Sequence, residues 1–195
     1  KRIIFNGNGY TDEWVEEAEK RGLYNLKTTP DALPHFIAEK NIELFTKHGI
    51  FTREELFSRY EIWLENYYKT IESNTLAEMI QKQVIPSVYT YVEKLADTAA
   101  AKKSVVADIS VASEAALISK LSTLADTMAK DLETLKADTA KALASSDDVL
   151  ACSKAYQETV LEDMETLRKS ADEAEALIPD ELLPYPTYDE LLFSI

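Results

Sequence analysis

The feature that most limits the fold of this chain is an apolar stripe that holds a helical phase from Thr52 to about Leu95. It comprises Leu56, Tyr60, Trp63, Tyr67 and Ile71, then Leu76, Met79, Ile80, Val84, Val88, Val92 and Leu95. Steps of three and four keep these side chains on one face of a 3.6-residue helix. Thr52 and Glu55 have the spacing of a capping box, which satisfies two orphan N–H groups at a helix start. Ser73-Asn74-Thr75 either breaks the helix or lies exposed on it. Pro86 has no N–H for the carbonyl of Lys82 and costs about 3 kcal/mol if nothing compensates. The stripe keeps its phase through Pro86, so the sequence predicts a kink near residues 82–86 and not an end. At 1.5 Å per residue such a helix is about 65 Å long, which suggests a rod.

The rest of the chain reads as helices cut to pack on this one. A second long helix is expected from about Ser113 to Ala144, with Leu117, Leu121, Leu124, Met128, Leu132, Leu135, Ala140 and Leu143 on its apolar face. Ala125, Ala129 and Ala137 would allow close approach of a neighbour. Ser145–Asp148 is a turn and cap cluster. A third helix then runs to about Leu177 with Val149, Cys152, Tyr156, Val160, Met164, Leu167, Ala171, Ala174 and Ile178 inward. Connections this short make antiparallel neighbours. With only 4 Gly and 6 Pro in 195 residues, the expected fold class is all-α. It is an elongated antiparallel bundle of three long helices, preceded by two short ones and followed by an irregular apolar tail. The expected division is a junction segment 1–51, a bundle 52–178 and a docking tail 179–195.

In the junction, Arg2–Phe5 is strand-like and Asn6-Gly7-Asn8-Gly9 is a turn signal. Two glycines without a following Lys-Ser/Thr are weak evidence for a phosphate cradle. Thr11 caps a helix from Asp12 to Arg21 that Gly22 ends. Pro30 sits at a helix start, and Pro34 delays regular helix until about His35. That helix stops at Gly49. His35 and Glu39 are four apart, but one His and one Glu are too few ligands for a metal. Trp14, Trp63 and Tyr67 are candidates for packing or subunit contact, since large aromatic rings dominate both.

Tail residues Pro179, Pro184 and Pro186 argue against helix. Tyr188, Leu191, Leu192 and Phe193 are too apolar to leave in water. They are expected to pack back on the bundle or the N-terminal helices.

The formal charge is −14, a poor match to nucleic acid or anionic membrane, which need clustered Lys and Arg. Cys152 is the only cysteine and falls on an apolar helix position, so it reads as a small buried hydrophobe. No run of 18 apolar residues and no signal peptide is present, so a cytoplasmic location is expected. The abrupt start without Met suggests a piece of a longer polypeptide. No Ser/His/Asp, Cys/His or metal-carboxylate constellation is visible. Two classes remain on these grounds: an accessory domain of an enzyme, or a free-standing coiled-coil or spectrin-like interaction module. Arg2–Phe5 has no partner strand in the chain, which favours the first.

Several stretches carry a resemblance. Lys1–Tyr10, Asp12–Val15, Glu17–Leu23, Thr28–Pro34, Leu44–Gly49 with Phe51-Thr52, Ser58–Glu61, Leu64–Tyr67 and Pro184–Phe193 together resemble the region that follows the catalytic barrel in bacterial type III glutamine synthetases. The resemblance is specific mainly over residues 1–70 and 184–193. It implies a parent enzyme that joins ammonia to glutamate through a γ-glutamyl phosphate, with ATP and Mg²⁺ as cofactors. The implied partners are the upstream barrel of the same chain and other subunits of a homo-oligomeric ring. The family's catalytic, nucleotide and metal motifs match no position here, so no catalytic, cofactor or metal residue is expected in this stretch. The expected role is subunit assembly or regulation.

Overall fold

A computed structural model describes residues 3–68, 71–145 and 147–193. The chain divides into two compact units, Lys1–Tyr67 and Tyr68–Ile195. Among the described residues the regular structure is helical, with no strand.

The first unit holds four helices: α1 (Asp12–Lys20), α2 (Thr29–Phe36), α3 (Glu39–Lys47) and α4 (Arg53–Tyr67). The strand expected at Arg2–Phe5 is not formed over Ile3–Phe5, and Arg2 lies outside the described residues. Instead the Phe5 ring lies against Trp14, centroids 4.5 Å apart. A Cβ on Gly7 would stand 2.6 Å from that ring, so this glycine serves a close approach. Its φ is not positive.

Thr11 occupies the expected cap position of α1, but its hydroxyl donates to the Asn8 carbonyl at 3.0 Å. Gly22 ends α1 with φ 68°, and Leu23 N–H reaches Ala18 O at 2.9 Å. Gly49 ends α3 in the same way, φ 62°, with Ile50 N–H on Phe45 O at 3.0 Å. Both are Schellman closures.

Between them the expected single helix from His35 is two. α2 starts at Thr29, with Pro30 in its first turn. It tolerates Pro34 because it is so short, and it ends two residues later. Residues Ile37 and Ala38 separate it from α3. α2 packs on α3 and α4, and α3 on α4. Leu33, Ile42, Leu56 and Leu64 form the buried apolar centre.

The stripe read as one long helix from Thr52 to about Leu95 is divided, and not at Ser73–Thr75. The Thr52–Glu55 box forms, with Thr52 N–H on Glu55 Oε2 at 2.7 Å and Glu55 N–H on Thr52 Oγ1 at 3.2 Å. But α4 ends at Tyr67, and α5 (Ile71–Met79) begins the second unit. The reason lies in which residues are buried. Trp63 and Ile71, read as stripe members, are 41% and 68% exposed. α4 buries Leu56 and Leu64, whereas α5 buries Ser73 and Ala77. Leu64 and Ser73 would lie about 180° apart on one continuous helix. Residues 53–67, read from sequence as part of the bundle, therefore belong to the first unit.

The second unit is an antiparallel three-helix bundle. Its first span is α5, a π turn at Ile80–Val84, and α6 (Ile85–Val105). The second is α7 (Ala112–Leu143). The third is α8 (Val149–Ala155), a π turn at Tyr156–Val160, and α9 (Leu161–Glu175). Ser73-Asn74-Thr75 does not break the first span. Ser73 is buried there, and Asn74 and Thr75 face outward.

The feature expected near 82–86 takes the form of the π turn. Ile85 N–H bonds to Ile80 O across five residues, and Pro86 falls in the first turn of α6. The widened turn takes the carbonyls ahead of Pro86 out of the α register, which suits a ring with bulk and no N–H. α6 then continues to Val105, past Leu95 where the apolar stripe stops.

α7 packs against both other spans. It buries Glu114, Leu121, Ala125, Met128, Leu132, Leu135, Thr139 and Ala142, with Ile118 half-buried. The steps alternate four and three, the heptad pattern of a left-handed helix pair. Ala129, Ala137, Ala140 and Leu143, read as inward, are exposed, because a strict 3.5 repeat takes the inward face through Thr139 and Ala142.

Candidate functional site

Three features of the described residues combine polar chemistry or exposed apolar surface in an organised way. The first joins α6 to α7. Glu114 is 7% exposed, and its carboxylate pairs with Lys102 Nζ across the connecting loop. It also accepts from Ser113 Oγ at 2.9 Å. The Lys102 hydrogen bond leads the causes that hold its pKa down at about 2.

The second faces α7 with α9. Asp163 Oδ2 is buried without a hydrogen-bond partner. Burial and the neighbouring carboxylates of Asp138, Glu162 and Asp131 push its pKa up. Asp138 is itself paired with Lys141.

The third is the tail. Tyr185 is half-buried against a hollow of about 320 Å³ whose walls include Leu76, Ile80, Ala171 and Glu175. Burial first, then its hydrogen bond to Glu175, raise the Tyr185 phenol pKa. A short 3₁₀ turn, Asp180–Leu182, contacts α6. Beyond Pro186 the chain forms α10 (Tyr188–Phe193), a helix that the prolines had argued against. It exists because Thr187 and Glu190 form a second capping box. Thr187 N–H bonds Glu190 Oε2 at 2.8 Å, and Glu190 N–H bonds Thr187 Oγ1 at 3.3 Å.

The interface candidates from sequence fall in separate places. Trp14 is half-buried under Phe5, and the Arg21 guanidinium lies 5.7 Å from its ring centre. Arg21 is held by Glu17 at 2.7 Å and by Ile4 O at 2.6 Å. Trp63 meets Phe36 at 5.0 Å, and Phe36 meets Phe45 at 5.8 Å. Phe45 in turn meets Phe51, over which Arg59 sits at 4.7 Å. This aromatic row ties α2, α3 and α4 together. Phe51 and Arg59 lie outside the apolar stripe that starts at Leu56, so periodicity gave no sign of them. Tyr67 is half-buried at the end of α4.

Tyr188, Leu191, Leu192 and Phe193 are 84%, 59%, 73% and 75% exposed. The expectation that they pack back on the bundle is not met; the tail docks there through Leu182–Tyr185 instead.

Among the described residues no three His, Cys, Asp or Glu side chains are grouped to hold a metal ion. Glu39, the partner proposed for His35, is taken by Arg53 at 3.0 Å, while the His35 ring lies against Tyr24 at 4.4 Å. The carboxylates about Asp163 include one already neutralised by Lys141. Cys152 is fully buried, and burial pushes its thiol pKa up, the opposite of an activated nucleophile. Among the described residues no helix is long and apolar enough to cross a membrane.

The model of the glutamine synthetase C-terminal domain matches residues 1–103. The chain belongs to this family. A glutamine synthetase of Butyrivibrio fibrisolvens is 51% identical over 197 residues, taking in 100% of this chain and 28% of its own length. The type-3 glutamine synthetase of Dictyostelium discoideum is 32% identical, over 98% of this chain and 27% of its own. A glutamine synthetase of Bacteroides fragilis is 30% identical over the same shares. The chain thus spans little more than a quarter of the length of the relatives it matches. The resemblance read from residues 1–70 and 184–193 agrees with these findings.

Proposed function

We propose that this chain is the non-catalytic C-terminal part of a glutamine synthetase and serves assembly or regulation of that enzyme. The parent would ligate ammonia to glutamate with ATP and Mg²⁺, in the cytoplasm, as a homo-oligomer. Its partners would be the catalytic barrel of its own chain and neighbouring subunits.

The observation that carries this reading is the alignment. Nearly the whole chain, 98–100%, matches 27–28% of the length of each of these glutamine synthetases. Two ionic features, the Glu114–Lys102 pair and the Asp138–Asp163 contact, lie where helices meet.

The test has two arms. The isolated 195-residue chain, assayed for γ-glutamyl hydroxamate with ATP and Mg²⁺, is expected to match a blank. The parent enzyme lacking residues 71–193 is expected to show an altered subunit count by mass photometry, or altered kinetics with an unchanged count. Hydroxamate formation by the isolated chain would overturn the non-catalytic reading. A truncated parent identical in both count and kinetics would overturn the assembly-or-regulation reading.

A further inference from the structure

The feature the proposed function leaves unexplained is a pair of acids set in an apolar seam. The packing residues of α7 near Asp138 and of the third span near Asp163 are apolar: Leu135, Ala142, Val160 and Leu167 are all buried. Asp163 lies between Val160 and Leu167, three residues beyond the π turn. Its Oδ2 atom is buried without a hydrogen-bond partner. Across the seam its hydrogen-bonding neighbour is another acid, Asp138. An ionised carboxylate only accepts. Two ionised acids in contact therefore give the seam repulsion and no hydrogen bond, and a buried acceptor left in that state costs stability.

The surrounding charges decide which acid relieves this by taking a proton. Lys141 on α7 pairs with Asp138 and favours its ionised form. Asp163 faces Asp138 and Asp131 from α7 and Glu162 from its own helix. The other elements packed on α9 are α5 and the two π turns. Their charged groups Glu72, Glu78, Lys82 and Glu158 are exposed, and Tyr156 directs its hydroxyl to Met164 Sδ at 3.9 Å. Negative charge thus gathers about Asp163, while Lys141 is committed to Asp138.

We propose that Asp138 and Asp163 form a proton-operated clamp between α7 and α9. A proton taken from solvent onto Asp163 makes it a donor, Asp138 accepts, and the seam closes. Loss of that proton to solvent leaves two ionised carboxylates that push the helices apart. Burial and the neighbouring acids raise the pH at which the proton leaves. The clamp's contribution to stability is therefore full below the ordinary aspartate value of about 3.9 and is lost as pH rises through the raised one. The clamp does not depend on the assembly-or-regulation reading. It supplies that reading with a signal, the proton, and a joint on which the signal acts.

The test is a carboxyl titration by NMR of the 195-residue chain carrying ¹³C at the Asp carboxyls, beside Asp138→Asn and Asp163→Asn. Macroscopic steps belong to the pair, and the two variants assign them. In the wild type one step is expected above the ordinary aspartate range, sensed by both carboxyls. In Asp138→Asn the Asp163 midpoint is expected to move down. In Asp163→Asn the upper step is expected to vanish and Asp138 to titrate once. Absence of an upper step in the wild type overturns the proposal without any variant having to fold. Titrations of the two acids that ignore each other's substitution overturn it too.

Hydrogen exchange reads the joint itself. Protection of the α9 amides, corrected for the intrinsic pH dependence of exchange, is expected to fall severalfold in the wild type as pH rises through the upper step. In Asp163→Asn it is expected to stay flat. Flat protection in the wild type, or the same fall in Asp163→Asn, would mean that the proton does not work the seam, and the clamp would be abandoned.

Discussion

Glu114 and Asp163 are carboxylates of one bundle whose surroundings act in opposite senses. Glu114 is held ionised by Lys102 and Ser113, with a folded pKa of about 2 against an ordinary value of about 4.3. Its contribution is therefore fully present above about pH 4.3 and lost as pH falls toward 2. Glu114→Gln is expected to melt below the wild type at pH 6, and the gap should close by pH 2. A gap that stays constant between those pH values would show that the pair does not set the closure of the α6–α7 loop. Asp163 is pushed up by burial and by Asp138. An acid whose folded pKa is raised costs stability at neutral pH and regains it as pH falls through that raised value. Asp163→Asn removes the charge and supplies a donor toward Asp138. It is expected to raise the melting temperature at pH 7 and to have no advantage at pH 3. A lowered melting temperature at pH 7 would mean that the ionised carboxylate has a partner worth keeping. Neither behaviour was legible in sequence, since 35 acids mostly on helix exteriors give no sign of which two are drawn into a junction.

At the scale of elements, the phase of α7 makes a sharper test than its existence. Met128 is fully buried and Ala125 likewise, while Ala129 faces solvent. Met128→Ala is expected to cost about 2–5 kcal/mol by urea denaturation. Ala125→Leu should cost about 1–3 kcal/mol by overpacking. Ala129→Lys should fall within about 0.5 kcal/mol of wild type. A large cost at Ala129 with none at Ala125 would reverse the assigned face. The sequence located this helix to within a residue at each end, because thirty residues of periodic pattern leave little choice. It misplaced the last inward positions because Ala140 and Leu143 look more apolar than Thr139 and Ala142, and hydropathy cannot see a 3.5-residue seam. The third span shows the same limit from another side. Its inward positions Cys152, Tyr156, Val160, Met164 and Leu167 were read correctly, yet three consecutive steps of four overrun an α-helix, and the π turn at Tyr156–Val160 absorbs the surplus. The C-terminal box had a signal that could have been used. Thr187-x-x-Glu190 has the same spacing as Thr52-x-x-Glu55, which was read, but three nearby prolines outweighed it. The tail's apolar residues were recognised as an interface candidate from composition. On the bundle it is Tyr185 that lines the hollow beside α9, ahead of these four residues.

For the whole molecule, the division at Tyr67 and Tyr68 has an observable consequence that the sequence happens to make easy to read. Both tryptophans, Trp14 and Trp63, lie in the first unit, and the second unit has none. Tryptophan emission therefore reports the first unit alone. Far-ultraviolet circular dichroism reports mainly the second, which holds the three long spans. The two units also differ in the means by which they cohere. The first has small apolar clusters joined by ring contacts and two Schellman closures. The second has a continuous heptad seam along a 32-residue helix packed on both sides. Longer buried seams give larger cooperative units, and surface exposed on unfolding sets the denaturant slope. Urea titration of the isolated chain is accordingly expected to give two transitions: a shallow loss of tryptophan signal at lower urea, then a steeper loss of ellipticity. Coincidence of the two probes is the test of a single all-or-none transition. If emission and ellipticity superpose on one curve, the units unfold as one body and the division at Tyr67 is not energetic. If they separate in the stated order, the 67-residue first unit is the weaker of two domains. Substitutions there, such as Trp63→Ala, should then shift only the first transition.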